Sequence, residues 1–383
     1  MITVADRLAS VEEYYFSKKL REVGGLIAQG KPIINMGIGS PDLAPAIQVM
    51  EALVNSLDDE KAHQYQSYQG LPDLRQGVCS FYQKYFDVSL DSNTEVLPLM
   101  GSKEGIMHIS MAFLNHGDEV LIPNPGYPTY TSVTKLVGAV PRYYSLGEQG
   151  NWLPDVKALE QTDLSKVKLM WLSYPHMPTG ANANAELFEE LVQFAKRNQI
   201  LLVNDNPYSF VLNDKRLSLL SVPGAKEVAL ELNSLSKTFN MAGWRVGFVF
   251  GSAEHIGAVL KVKSNMDSGM FYGLQKGAIK ALELSEEWYA DLNIVYTRRR
   301  SLIFQLADKL GCTYDTSASG MFVWAKLPKG VHSAEEFIDS ILYDQSIFIT
   351  PGTIFGSQGE GYIRFSLCVK EEQIQRAIKR FES

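Results

Sequence analysis

Residues 167–205 read VKLMWLSYPHMPTGANANAELFEELVQFAKRNQILLVND. The run opens on one apolar segment, VKLMWL, and closes on another, ILLVND (200–205). Between them, ELFEELVQFAKRNQ (186–199) repeats its apolar residues at helical spacing. The two flanking segments are apolar almost throughout instead of alternating, which is how a strand covered on both faces reads. Strand, helix, strand in that order is the unit from which helix-wrapped parallel sheets are built.

Moving outward, EVLIP (119–123), VALELNSL (228–235) and VGFVFG (246–251) carry the same apolar signature. The middle of the chain is therefore predicted to be a large, doubly wound, mainly parallel α/β domain. The last hundred residues have another character. EEWYADLNIVYTRRRSLIFQLADKLG (286–311) reads as one long helix stopped by Gly311. MFVWAKL (321–327) and GYIRFSLCV (361–369) read as strands, SAEEFIDSILYD (333–344) and EEQIQRAIKRF (371–381) as helices. These predict a smaller α+β lobe. The expected division is 1–44 as an arm and part of the small lobe, 45–285 as the large domain and 286–383 as the small one.

Composition narrows the function classes. The chain has 383 residues, 45 % of them hydrophobic and 21 % charged, enough for two lobes with a sizeable core. A net charge of −7 argues against a nucleic-acid or anionic-membrane surface. MITVADRLASVEEYYFSKKL (1–20) has no apolar stretch of an export signal, and no run approaches the ~18 apolar residues of a membrane span. Cys79, Cys312 and Cys368 are far apart and lack metal-ligand spacing, so neither a disulfide framework nor a metal site is expected. The cytoplasm is the expected location.

In open parallel sheets, ligands bind beyond the carboxyl ends of the strands. Those ends carry chemistry here. GSKEG (101–105) opens a helix, YPHMPTG (174–180) follows one strand, and Asp205 ends another just before Asn206-Pro207-Tyr208. SLSK (234–237) follows a fourth, with Arg245 eight positions after Lys237. Taken singly, each has a plainer reading: a turn, a helix cap, a core tyrosine, a surface lysine. Together they place an anion site, a carboxylate, a phenol, a lysine and an arginine at one crevice.

The set resembles the fold-type I pyridoxal phosphate enzymes, and within them the class I/II aminotransferases related to aspartate aminotransferase. The resemblance runs from GIGSPD (37–42) to RFSL (364–367), and its most specific part is S-x-S-K-x-x-x-x-x-G-W-R-x-G at 234–247. It implies that Lys237 forms the Schiff base with pyridoxal 5'-phosphate, in a charge-poor, desolvated pocket that lowers its pKa and so supplies an unprotonated amine as base. It implies that Asp205 faces the ring nitrogen and that Tyr208 donates to the ring phenolate. Ser102, Lys103, Ser234, Ser236 and Arg245 correspond to the phosphate cup, and Tyr127 in NPGYP to the ring stacked on the cofactor. Tyr65 matches a tyrosine that reaches the phosphate of a neighbouring subunit, which implies a homodimer with shared sites. Arg364 matches the arginine that grips the substrate α-carboxylate, and Gly39 a backbone position that closes over substrate.

One position departs from the pattern. The family reads Asn-Pro-Thr-Gly where this chain has Met177-Pro178-Thr179-Gly180. Methionine offers no donor, so Tyr208 alone is expected to serve the phenolate, with a higher imine pKa than in a Met177→Asn variant. His176 is either a substitute contact or a packing residue. KSNMDSGMFYGLQ (263–275) is similar to its counterpart in LL-diaminopimelate aminotransferases. The implied activity is transfer of an amino group between an amino acid and a 2-oxo acid, with glutamate and 2-oxoglutarate as the common pair. A carbon–sulfur β-lyase would use the same residues, and a non-catalytic regulator is the remote third reading. Tyr14, Tyr15, Asn265 and Tyr272 are the candidates for the side-chain pocket.

Overall fold

The computed structural model describes residues 2–9 and 15–382. β1 (Ile34–Asn35) stands apart from the main sheet. The main sheet holds β2 (Val96–Leu99), β3 (Glu119–Asn124), β4 (Val140–Ser145), β5 (Val167–Leu172), β6 (Leu201–Asp205), β7 (Ala229–Ser234) and β8 (Gly247–Phe250). Their spatial order is β2-β8-β7-β6-β5-β3-β4. β4, β3, β5, β6 and β7 pair in parallel, each with its neighbour in that order. β8 runs antiparallel to both β7 and β2.

Helices cover both faces, which explains the apolar strands. Met170 and Leu172 point into a core shared with the helices Pro72–Phe86, Ala185–Asn198 and Tyr272–Leu282. Leu169 and Trp171 point into the opposite core with the helices Ser102–Phe113, Pro128–Leu136 and Ala253–Lys263. The sequence reading placed VGFVFG among parallel strands; the structure corrects its direction. A strand buried on both faces is apolar whichever way it runs, so periodicity carries no direction. The reading also passed over β2 and β4. β2 contains Pro98, tolerated at the sheet edge, and β4 is an edge strand of mostly polar and half-exposed residues.

The small lobe is built on β9 (Thr313–Tyr314), β10 (Phe322–Lys326), β11 (Ile347–Phe348), β12 (Thr350–Pro351) and β13 (Tyr362–Ser366). β12, β13, β10 and β9 form an antiparallel sheet in that order, and β11 pairs in parallel with β1. The long helix spans Glu286–Lys309, with Gly311 in the left-handed region at φ 72° just beyond it. Val23, Ile34 and Met36 pack in the same core as Tyr296, Ile338 and Ile374. The chain's two ends thus build one core. Among the described residues, no helix is long and apolar enough to cross a membrane.

The segment after β1 is pinned where it crosses between the lobes. The guanidinium of Arg299, only 4 % exposed, donates to both oxygens of Asp42 at 2.6 and 2.9 Å and to the Leu367 carbonyl at 3.0 Å. Removing one partner of such a pair leaves the other buried and uncompensated. Asp42→Ala is therefore expected to lower the unfolding free energy by about 3 kcal/mol. Urea titration checks this; a loss below about 1 kcal/mol, the value of an exposed pair, would show that the bridge does not hold the crossing segment.

Candidate active site

A cavity of about 630 Å³ opens at the carboxyl ends of the parallel strands, roofed by β10 and β13 of the small lobe. Gly39, Ser102, Lys103, Tyr127, Met177 and Asp205 line it, as do Tyr208, Ser234, Ser236, Lys237, Arg245 and Arg364. Segments up to 348 residues apart, Phe16 and Arg364, thus meet in one place, where β5, β6 and β7 end together under the small lobe. Tyr65 is the exception. It is 91 % exposed and does not touch this chain's cavity.

One end of the cavity is built for an anion. The helix Ser102–Phe113 starts at Gly101, whose φ of 90° only glycine adopts without strain. Glu104 N donates to the Gly101 carbonyl at 3.1 Å, whereas the N–H groups of Ser102 and Lys103 precede the first helical acceptor and carry the positive end of the helix dipole. A Cβ on Gly101 would run into the Arg245 guanidinium, and one on Gly247 would come within 2.7 Å of the Ser102 nitrogen. Glycine at these two positions lets the Arg245 guanidinium and the start of β8 approach the helix start closely.

Asp205 ends β6 with its side chain buried. Oδ2 accepts from the Tyr130 hydroxyl at 3.1 Å, while Oδ1 has no donor among the described residues. Burial pushes this carboxyl up to about 7, against the opposing pull of Tyr130 and Lys237. An orphaned buried carboxylate oxygen calls for a cationic N–H, and a protonated pyridine nitrogen supplies one. Tyr130 was absent from the sequence reading. It stacks on Trp171 at 4.8 Å and 4°, and a buried aromatic in an apolar helix pattern gives no sign of which polar group its hydroxyl meets.

Lys237 follows β7, and its Nζ donates to the Gly39 carbonyl at 2.7 Å. Burial lowers its pKa, and Arg364 and Arg245 add to that against Cys368 and Asp205. The amine is thereby made easier to deprotonate. Burial pushes the Tyr208 phenol up, with Arg364 opposing. Arg364 is buried on β13. Nη2 donates to the Gly37 carbonyl at 2.8 Å, Nη1 lies 3.6 Å from the Met177 sulfur, and Nε has no acceptor among the described residues. The guanidinium sits over the rings of Phe322 and Phe355, at 4.0 and 4.7 Å. Burial pulls its pKa down to about 10.

The remaining sequence candidates fall elsewhere. His176 is buried with Nδ1 2.7 Å from the Thr179 hydroxyl, and burial pushes it down to about 3. It braces the 174–180 turn and does not line the cavity. Tyr14 and the side chain of Tyr15 lie outside the described residues. Asn265 is exposed and donates to Lys261 O, and Tyr272 donates to Asp59, so neither lines the cavity of its own chain. Phe16, Ser17, Phe322, Ile354 and Phe355 form that wall instead. Glu104, His108 and Asp267 bring possible metal-ligating atoms within 4.8 Å of one another. Asp267 is already paired with buried Lys263 at 2.7 Å, so a metal there would sit against an ammonium.

The family model for aminotransferase class I and II matches residues 31–381. The chain belongs to the class I and II aminotransferases. It is 39 % identical to the LL-diaminopimelate aminotransferase of Aquifex aeolicus, over 100 % of this chain and 99 % of that one. The LL-diaminopimelate aminotransferase of Oleidesulfovibrio alaskensis is 38 % identical, with 100 % and 99 % covered. Among solved structures, substrate-bound BacF from Bacillus subtilis matches with a TM-score of 0.94 at 33 % identity, over 99 % of this chain and 97 % of that chain. Enzymes of this family exchange amino groups between amino acids and 2-oxo acids with pyridoxal 5'-phosphate, and the cavity's residues fit that cofactor.

Two outcomes follow from this geometry. The pKa of Asp205 in the folded, cofactor-free chain, near 7, lies above the unfolded value of 3.8. Its contribution to stability is therefore complete below about pH 4 and lost as pH rises through about 7, by up to about 4 kcal/mol. Asp205→Asn should flatten that part of the profile, so the cofactor-free variant gains melting temperature over the parent at pH 8 but not at pH 4. Parallel profiles would show that Asp205 is not held uncharged. Met177→Asn adds a donor beside Arg364 and Tyr208. The pH midpoint of the absorbance change of the loaded protein should fall in this variant, and an equal or higher midpoint would mean that position 177 does not touch the ring oxygen.

Proposed function

We propose that this protein moves the amino group of LL-diaminopimelate to or from a 2-oxo acid, with glutamate and 2-oxoglutarate as the partner pair, in amino-acid biosynthesis leading to lysine. The observation that carries this is the 39 % identity to an LL-diaminopimelate aminotransferase along the whole chain. The bound cofactor would supply the electron sink that makes the substrate α-proton removable. Lys237 Nζ, its pKa lowered by burial so that it is available unprotonated, is the base that moves this proton. Asp205 Oδ1 holds the proton on the ring nitrogen, and Tyr208 donates to the ring oxygen. Ser102, Lys103, Ser234, Ser236 and Arg245 grip the phosphate, and Tyr127 stacks on the ring. Arg364 binds the α-carboxylate as a two-pronged donor, with Met177 beside it and Gly39 covering it.

A second reading has a specific observation behind it. The wall facing Arg364 is Phe16, Phe322, Ile354 and Phe355, and among the described residues of one chain it offers no cation for a distal carboxylate. Such a wall favours a bulky apolar amino acid. A β-lyase would use the same cup and base; its products, not its residues, tell it apart.

The same proposal includes a homodimer in which Tyr65 reaches the partner's phosphate site. Ile47 and Val54 on the helix Ile47–Asn55, Tyr65 on its loop, and Met266 and Phe271 before the helix Tyr272–Leu282 are apolar and exposed in one chain. A second copy covering them would remove that exposure. The proposal also keeps the division at 44/45 and 285/286 and a cytoplasmic location.

The deciding experiment follows the absorbance of the loaded protein without oxygen or keto acids. LL-diaminopimelate should bleach the cofactor band and 2-oxoglutarate restore it, while Lys237→Ala shows no such exchange. Bleaching by phenylalanine or leucine alone selects the apolar reading, and pyruvate with free ammonia selects the lyase. For the dimer, Val54→Asp with Phe271→Asp should halve the sedimenting mass and lower phosphate-cup affinity for the cofactor; unchanged mass would place the interface elsewhere.

A further inference from the structure

Glu231 is a carboxylate that the site's chemistry does not use, yet it is 0 % exposed in the middle of the sheet. Its neighbours are all uncharged donors. Tyr82 OH reaches Oε1 at 3.0 Å, and Asn206 Nδ2 reaches the same oxygen at 3.4 Å. Asn204 Nδ2 and the Leu219 backbone N–H reach Oε2 at 3.1 and 2.9 Å. Tyr82 in turn accepts from Asn233 at 3.1 Å, so its own proton is directed at Glu231. Burial pushes the Glu231 carboxyl up, while the donors facing both oxygens pull it back toward the ionised form they suit.

The strand geometry gives this network a purpose. Glu231 on β7 pairs in register with Asn204 on β6, and Leu232 with Asp205. Side chains alternate along a strand, so Asn204 and Asn206 turn to the face of Glu231 and Asp205 turns to the other. Fixing the two asparagines therefore fixes which way Asp205 points. The network reaches further through the asparagines' oxygens. Asn204 Oδ1 accepts from the Tyr174 N–H at 3.0 Å, anchoring the turn that carries Met177. Asn206 Oδ1 accepts from Ser209 at 2.5 Å, next to Tyr208.

We propose that Glu231 is a positioning residue for Asp205: by clamping Asn204 and Asn206 it holds the aspartate toward the cofactor's ring nitrogen. The nearby negative charge also raises the proton affinity of Asp205, which reinforces an Asp205 contact to an N–H cation. This rests on the reading that the cavity binds pyridoxal 5'-phosphate through Asp205.

The test compares equilibrium binding of pyridoxal 5'-phosphate with that of its 1-deaza analogue, in which a C–H replaces the ring nitrogen. In Glu231→Gln, one oxygen becomes an NH2 facing donors, and affinity for pyridoxal 5'-phosphate should fall about tenfold, the value of one spoiled buried hydrogen bond. Affinity for the deaza analogue should stay within about twofold of the parent, since that ligand makes no such bond. Tyr82→Phe removes one donor and leaves the charge. It should show the same selective loss in smaller degree, and it carries the test if Glu231→Gln does not fold. Unchanged binding in both variants, or equal weakening of both ligands, overturns the positioning role. A parent that binds neither ligand overturns the cofactor reading itself and this inference with it.

Discussion

A carboxylate buried at a strand end, bonded on one oxygen and bare on the other, is the constraint from which the site is organised. Charging Asp205 there without a cationic donor is costly, because the low-dielectric surroundings penalise the anion. Everything near it serves either to aim the bare oxygen or to receive what binds it. Tyr130 holds the other oxygen, and the sheet order places the aspartate between the strand that leads to Met177 and the one that leads to Lys237. The two lobes meet over this point, and among the described residues the aspartate opens into the cavity.

Arg364 presents the complementary case. Its charge lies between two phenylalanine rings, with a thioether where the family pattern has an amide. The ring faces offset part of the lost hydration, but a sulfur and a carbonyl do not replace a carboxylate. A partly dehydrated guanidinium binds an arriving carboxylate more strongly than a solvated one, since little water remains to be displaced and the local field is poorly screened. The methionine therefore makes this end of the cavity hungrier for an anion, not only more apolar.

Much of this was legible in the chain because it is local. The apolar segments, the long helix before Gly311 and the clustering of Lys237, Asp205 and Arg245 at strand ends follow from periodicity and from short motifs. What escaped is long-range. The direction of β8, the edge strands β2 and β4, the meeting of Tyr130 with Asp205 and the Glu231 clamp depend on which strand lies beside which. Phe16 and Ser17 replaced Asn265 and Tyr272 in the cavity wall for the same reason: no spacing rule says which end of the first helix reaches across the lobes. His176 sat beside Met177 in sequence but points into the turn it braces, since neighbours along an irregular segment need not share a face.

The antiparallel course of β8 explains a spacing that looks arbitrary in the chain. A parallel successor to β7 would need a crossover helix of a dozen residues or more, and its start would lie at the far edge of the sheet. By turning straight back, the chain returns Arg245 to the same edge that Lys237 has just left. The two cations belong to one hairpin-like connection, so the separation of the Lys237 amine and the Arg245 guanidinium is set within one short stretch of chain. An insertion of one residue between 237 and 245 would change it while leaving both charges in place.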